Sequence, residues 1–263
     1  MTPTPSSPSS DLAFALELAN LADSISLPRF HAADLRVDTK PDRTFVTDAD
    51  LEVERVLRAR IERDRPNDGF FGEESGRSDS GERRWILDPI DGTSNFMRGV
   101  PNWATLIALE VAGVPTIGVV SAPAFGGRWW AELGGGAWGQ AAGEPARRLH
   151  VSGISQLGDA SLSFQSIAQW RDAGRLDSLL KLSEQVWRDR AYGDSWSYVL
   201  LAEGLLDIVA EFDVKAWDLA AHVPIVREAG GRFTDIDGND TAWKGSALAT
   251  NGLLHEAAVH AVK

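Results

Sequence analysis

The stretch Trp85-Ile86-Leu87-Asp88-Pro89-Ile90-Asp91-Gly92-Thr93-Ser94-Asn95-Phe96 decides how the rest of the chain is read. An apolar triplet with strand character runs directly into two carboxylates three positions apart. Pro89 fixes one backbone angle between them, and Gly92 permits a tight turn with no side chain in the way. Gly92-Thr93-Ser94 then reads as a helix start, where unpaired N–H groups and hydroxyls face outward. Carboxylates beside free backbone donors are poor packing material. They suit a divalent-metal site that presents a phosphate to a helix N-terminus.

Around this stretch lie 263 residues, enough for one large domain or two closely packed halves. A composition 43% hydrophobic and 24% charged is that of an ordinary soluble protein. The formal net charge of −12 offers no basic field, which argues against nucleic acid as a partner. Without cysteine there are no disulfides, thiol nucleophiles or thiolate ligands, and a reducing cytoplasm fits. No apolar run reaches the roughly 18 residues a membrane span needs. Residues 1–10, rich in Pro and Ser, read as a disordered tail without signal-peptide features.

From Asp11 to about Ser24 an apolar stripe predicts a helix capped by Ser10 or Asp11. A polar loop containing Lys40, Pro41 and Asp42 precedes a second helix, Ala49 to about Arg63, capped by Thr47 or Asp48. Its expected buried stripe is Leu51, Val53, Val56, Leu57 and Ile61. Gly69 to Phe71 forms a short strand that ends in Glu73 and Glu74, and Trp103 to Trp138 reads as an antiparallel meander. Gly139 to Arg148 is expected to be a loop separating an N-terminal α+β half (11–140) from a C-terminal α/β half (141–263), together one catalytic unit. In the second half, strands at Ala160–Gln165, 190–193, 205–212, 232–236 and 247–251 alternate with helices at Arg175–Trp187, from Asp194 or Ser195 to Gly204, Trp217–Ala229 and Leu253–Val262. The fold class is layered α/β with mixed sheets.

Asp50, Glu73, Asp88, Asp91 and Asp218 all punctuate element ends. Alone, Asp50 and Asp218 fit first-turn helical acids, and Glu73 with Glu74 fits a solvated pair. Asp88 and Asp91 resist that account, because Pro and Gly crowd them into a strand-to-helix turn. Converging carboxylates are costly unless cations neutralise them, and an all-oxygen donor set favours Mg²⁺ over zinc.

Trp85 to Phe96 and Trp217-Asp218-Leu219-Ala220-Ala221 resemble the two signature motifs of the inositol monophosphatase superfamily. Phe71-Gly72-Glu73-Glu74-Ser75 and Val46-Thr47-Asp48-Ala49-Asp50 resemble its other acidic segments, and the likeness runs from about residue 11 to 262. The resemblance implies an αβαβα sandwich, commonly a homodimer, hydrolysing a small phosphate monoester with two or three Mg²⁺ ions per site. It implies that Glu73, Asp88, Asp91, Asp218 and the Ile90 carbonyl hold metal, with Asp50 bearing on a weaker additional ion. Thr93 with Glu73 would activate the attacking water, and the Gly92 and Thr93 amides would hold the phosphate.

Gly99 to Glu110, Gly118 to Ala124, Arg128-Trp129-Trp130-Ala131 and Arg190-Ala191-Tyr192-Gly193-Asp194 are most similar to the histidinol-phosphate phosphatase branch. That likeness implies a cationic leaving group, for which Asp194 and Glu211 are the acids chosen. Asp194 also fits a helix cap, and Glu211 would suit inositol hydroxyls equally well. An inositol-1-phosphate, sugar or nucleotide phosphatase is the alternative, followed by a non-catalytic interaction partner. Trp103, Trp129 and Trp130 fit burial better than ligand contact. The histidines show no metal-ligand spacing, and His222, one turn from Asp218, fits a structural role.

Overall fold

Ser9, one residue before the expected caps, starts the first helix of the computed structural model, which describes residues 8–41, 43–78 and 81–263. Its Oγ accepts the Leu12 N–H at 3.1 Å. Residues 1–7 of the expected tail, and Asp42, lie outside the described residues. Helix α1 (Ser10–Arg29) continues beyond the expected end at Ser24 and carries Pro28 in its last turn. The expected polar loop is a hairpin of β1 (Val37–Thr39) and β2 (Phe45–Thr47).

Helix α2 (Asp48–Asp64) opens on a reciprocal cap: Thr47 Oγ1 accepts the Ala49 N–H, and Asp50 Oδ2 accepts the Thr47 N–H at 2.8 Å. Its buried face differs from the expected stripe. Leu51 is 49% exposed, whereas Asp50, Val53, Glu54, Leu57 and Ile61 are buried. The i, i+3, i+4, i+7 row therefore starts on a carboxylate: Val53, Leu57 and Ile61 of the expected stripe are buried, Val56 is half-buried, and Leu51 gives its place to Asp50 and Glu54.

Strands β3 (Gly69–Gly72), β4 (Gly76–Ser78) and β5 (Arg83–Asp91) precede the short helix α3 (Thr93–Phe96). The meander follows as β6 (Ala104–Val111), β7 (Val114–Ala122), β8 (Gly127–Glu132) and β9 (Gly136–Ala141), with β10 (Arg147–Arg148) inside the segment expected to be a loop. Together these make an eight-stranded sheet ordered β10-β9-β8-β7-β6-β5-β3-β4, antiparallel except where β3 runs beside β5.

The second half contains β11 (Ser161–Ser163), α4 (Ile167–Asp172), α5 (Leu176–Ser183), β12 (Arg188–Arg190) and α6 (Asp194–Ala202). It continues through β13 (Ile208–Phe212), α7 (Ala216–Leu219), α8 (His222–Glu228), β14 (Arg232–Thr234), β15 (Ser246–Thr250) and α9 (His255–Ala261). Its five strands form one mixed sheet ordered β12-β11-β13-β15-β14. Helix α4 was not expected, and the single helix expected over Trp217–Ala229 is interrupted at Ala220 and Ala221.

The apolar clusters define five layers. Leu18 and Ala19 of α1 and Val53 and Leu57 of α2 pack with Trp85, Leu87, Ile107 and Val119 on one face of the large sheet. Ile86, Leu106 and Val120 on its other face meet Val199 of α6 and Ile225 of α8. The same two helices turn Tyr198, Leu201, Val223 and Val226 against Val209, Phe233 and Ala249 of the small sheet. Trp170, Leu179, Leu182 and Ala258 cover that sheet's outer face. This is an αβαβα sandwich. Gly118 permits the central contact, because a Cβ there would lie 2.0 Å from the Ala221 carbonyl oxygen.

One irregularity in β5 sets up the site. Asp88 pairs with Leu106, but Asp91 pairs with Ala104, so β5 holds one residue more than β6 between these points. In a regular strand, side chains three apart leave opposite faces; one extra residue resets the alternation. Asp88 and Asp91 are thereby turned toward the same side, that of Ile86 and the central helices. Thr105 Oγ1 closes the bulge by donating to the Pro89 carbonyl at 2.8 Å.

Candidate active site

Asp88 is 2% exposed, and its Oδ1 is buried without a hydrogen-bond partner. Burial drives its pKa well above the usual carboxylate value, and the charges of Glu73, Asp91, Asp218 and Asp50 push the same way. Asp91 is raised for the same first reason, then by Asp194 and Asp218, although Ser195 N–H donates to its Oδ2 at 2.6 Å. Asp218, at the head of α7, accepts the Lys215 N–H at 2.7 Å; burial outweighs that bond and Glu73 adds repulsion, giving a pKa of about 7. Asp88 and Asp218 thus share one field with Glu73, and Asp91 feels the charges of Asp218 and Asp194.

Asp50 joins them from the α2 cap. Its Oδ1 lies 3.0 Å from Thr93 Oγ1, which is also 3.0 Å from the Ile90 carbonyl. Burial raises Asp50 to about 6 against its bonds with Thr47 and Thr93. Gly92 turns the chain here at φ 85°, and a Cβ on it would meet the Asn102 carbonyl at 2.9 Å. Among the described residues, the Gly92 and Thr93 N–H groups have no hydrogen-bond partner. They stand as open donors at the end of the acidic strand.

Glu73 follows β3 and meets Lys40 from the β1–β2 hairpin. Lys40 Nζ lies 2.7 Å from both Glu73 Oε1 and Glu74 Oε1. Burial disfavours the Lys40 charge, yet its bonds to the two glutamates raise its pKa above the ordinary lysine value. Burial lifts Glu74 to about 7 despite that ammonium. Among the described residues, no three His, Asp or Glu side chains yet stand close enough to clasp one ion. The donor chemistry still fits Mg²⁺: the facing groups are carboxylates and a carbonyl, and Asp88 Oδ1 is a buried acceptor in want of a cation.

On the far side, Asp194 is the first residue of α6 at φ 50°, and Gly193 rather than Asp194 occupies the cap position. The Asp194 carboxylate does not cap; it accepts from Asn95 Nδ2 at 2.8 Å, Gln165 Nε2 at 3.3 Å and Asn102 Nδ2 at 3.4 Å. Burial raises its pKa against these bonds. Glu211 is 4% exposed and hydrogen-bonded by Tyr198 Oη; burial raises it to about 8.

The whole chain from residue 7 to 263 matches the profile of the inositol monophosphatase family. The chain belongs to that family. It is 55% identical to the histidinol-phosphatase of Mycobacterium tuberculosis over 94% of this chain and 95% of that one. It is 50% identical to the histidinol-phosphatase of Streptomyces coelicolor, with 94% of both covered. Among solved structures, the IMPase of Thermotoga maritima superimposes with a TM-score of 0.84 at 30% identity, covering 96% of each chain. The expected sandwich and the expected phosphoric monoester hydrolase class both hold.

Several residues at this candidate site escaped the sequence reading. Glu54, Asn95, Asn102, Gln165 and Tyr198 each hold a site acid or the loop that carries it. Only Glu54 left a signal, since it falls on the apolar row of α2. Trp103 and Trp130 are buried as expected, whereas Trp129 is only partly buried and donates to Glu203 at 2.7 Å. His222 is fully buried and stacked on Tyr198 with no hydrogen-bond partner for either ring nitrogen among the described residues, and burial lowers its pKa to about 3.

Proposed function

We propose that this chain is a Mg²⁺-dependent histidinol-phosphatase, converting L-histidinol phosphate and water to L-histidinol and phosphate. Two histidinol-phosphatases that share half or more of their residues with this chain over 94% of its length carry the assignment. Glu73, Asp88, Asp91, Asp218 and the Ile90 carbonyl would hold two ions, and Asp50 would bear on a weaker third. Bound Mg²⁺ supplies Lewis acidity at the phosphoryl group and at the leaving oxygen.

The remaining work falls to protein groups. The open Gly92 and Thr93 amides receive the phosphoryl oxygens. Thr93 Oγ1, oriented by Asp50 and the Ile90 carbonyl, acts with Glu73 to direct the attacking water and take its proton. Water forms the new P–O bond as the ester P–O bond breaks; the proton of the attacking water passes to Glu73, and the leaving oxygen takes its proton from solvent water. Asp194 and Glu211 face the leaving group. An ammonium beside Glu211 draws that acid back toward its ionised form, since opposite charge lowers a carboxyl pKa. A cytoplasmic location, in keeping with a chain that has no cysteine, and a homodimer complete the proposal.

Steady-state kinetics on purified protein with histidinol phosphate and inositol-1-phosphate test the substrate. Histidinol phosphate is expected to be favoured by at least about tenfold in kcat/KM, the discrimination that a few polar contacts supply. The reverse preference overturns the assignment. Excess chelator is expected to abolish both activities.

A further inference from the structure

Gln165, in the turn between β11 and α4, faces Asp194 at the head of α6, and both hold a backbone conformation uncommon for residues with a side chain, at φ 58° and 50°. Glycine would take either position with less strain, so the side chains are what this junction retains. They exchange two bonds: Asp194 N–H donates to Gln165 Oε1 at 2.9 Å, and Gln165 Nε2 donates to Asp194 Oδ1 at 3.3 Å. Asp194 Oδ2 accepts from Asn95 Nδ2 at 2.8 Å and from Asn102 Nδ2 at 3.4 Å. Asn95 also donates to the Asn102 carbonyl, and Asn102 to the Tyr192 carbonyl, so these donors are fixed in turn. All three side-chain donors to the carboxylate are neutral carboxamides. A carboxylate has about four acceptor sites, so with two taken on Oδ2 and one on Oδ1 the fourth, on Oδ1, stays open. Asp194 is half-buried and lines a cavity of about 560 Å³, within the range of small-molecule sites, with Tyr192 and Trp196 on its wall. The cavity begins where the phosphate turn ends, because a Cβ on Gly92 would lie 3.5 Å from Asp194 Oδ2.

We propose that Gln165 is a positioning residue that aims the open site of Asp194 Oδ1 at a ring N–H of the leaving group's imidazole. This rests on the histidinol-phosphate reading and deepens it: the ammonium keeps its place beside Glu211, and Asp194 takes the other polar end. The charge of Asp194 is felt at Glu211, as it must be for two acids that meet one small molecule. A neutral imidazole carries one N–H donor, which matches the one acceptor site left on the carboxylate. The edge-on pair Tyr192 and Trp196, 6.0 Å between centroids, gives the flat ring an apolar wall. Holding Asp194 with carboxamides rather than with Lys or Arg fixes its direction without a counter-charge that would compete for the ring. Asp194 makes the contact, and Gln165 acts through it. A phenyl ring of similar shape would enter the cavity but leave that site unfilled.

The test compares histidinol phosphate with phenylalaninol phosphate, which keeps the ammonium, the ester and a flat ring but has no ring N–H. Wild-type protein is expected to favour histidinol phosphate by at least about tenfold in kcat/KM, because sites built around a hydrogen bond reject analogues that lack it. Gln165→Met removes both bonds to Asp194, and the isosteric Gln165→Glu puts an oxygen where the donor stood. Each should lower the ratio at least about threefold through the KM for histidinol phosphate, leaving phenylalaninol phosphate little changed; a general structural defect would lower both esters alike. Both esters are measured on one preparation, so an unfolded fraction cancels from the ratio. Asp194→Asn, which turns the open acceptor into a donor, should bring the ratio toward one, and adding Gln165→Met to it should change the ratio no further. Equal use of the two esters by wild-type protein overturns the proposal without any variant. An unchanged ratio in either folded Gln165 variant, or a further loss when Gln165→Met is added to Asp194→Asn, overturns it as well. Preference of the wild type for inositol-1-phosphate over histidinol phosphate is a separate result, and it removes the underlying substrate assignment.

Discussion

Asp91 ties two elements of the fold together and, on the proposed assignment, also holds metal. Its Oδ2 accepts the Ser195 N–H at 2.6 Å and so ties the end of β5 to the start of α6. The same carboxylate stands in the field of Asp194 and Asp218. Asn at this position keeps an oxygen for Ser195 but removes a negative charge. Asp91→Asn is therefore expected to leave the folded state intact and lower kcat/KM at least about a hundredfold, as loss of a ligand in a metal-assisted hydrolysis should. Circular dichroism and steady-state kinetics at saturating Mg²⁺ check this; near-normal turnover would refute the ligand role. Asp88, Asp91, Gly92 and Thr93 were legible from one short segment because Pro and Gly among acids have few other uses. Asn95 and Gln165 were not, since carboxamides carry no periodicity and meet Asp194 only through the fold.

At the scale of elements, the placement of Glu73 depends on α2. Glu54, 2% exposed, accepts the Glu74 N–H at 2.8 Å and the Ser75 N–H at 2.6 Å. Its carboxylate fits against Gly72, where a Cβ would come within 2.4 Å of Glu54 Oε2. The turn that presents Glu73 is thus clamped from the neighbouring helix. Glu54→Ala leaves two N–H donors without acceptors, at a cost of about 2–4 kcal/mol. It should also raise the Mg²⁺ concentration for half-maximal activity about 10–100-fold, in the manner of other residues that orient ligands. A Mg²⁺ titration of activity decides the matter, because a stability defect alone would leave that concentration unchanged. The helix itself was legible from its caps and period. Its inward face was legible only in part: Val53, Leu57 and Ile61 followed from hydropathy, but Asp50 and Glu54 on the same row did not, since hydropathy treats both as surface. The bulge in β5 was equally hidden, since only pairing with β6 reveals the extra residue.

At the scale of the whole molecule, the buried acids of the candidate site act together on stability. Burial raises Asp50 to about 6, Asp218 to about 7 and Glu211 to about 8, each above its usual carboxylate range. An acid with a raised folded pKa binds more protons folded than unfolded between the two values, so the unfolding free energy falls as pH rises. The stabilising contribution of these acids is full below about pH 4 and is lost progressively toward about pH 8. Other acids, such as Asp64 between Arg60 and Arg63, have lowered pKa values and weaken the fold only at lower pH. In the presence of a chelator, Tm is therefore expected to be higher at pH 5.5 than at pH 8. On the proposed assignment Mg²⁺ binds the ionised carboxylates, so it should raise Tm more at pH 8 than at pH 5.5, narrowing or reversing the difference. Thermal melts at both pH values, with Mg²⁺ and with chelator, measure this directly. A Mg²⁺-induced shift no larger at pH 8 than at pH 5.5 would mean that the clustered acids are not where the ion binds.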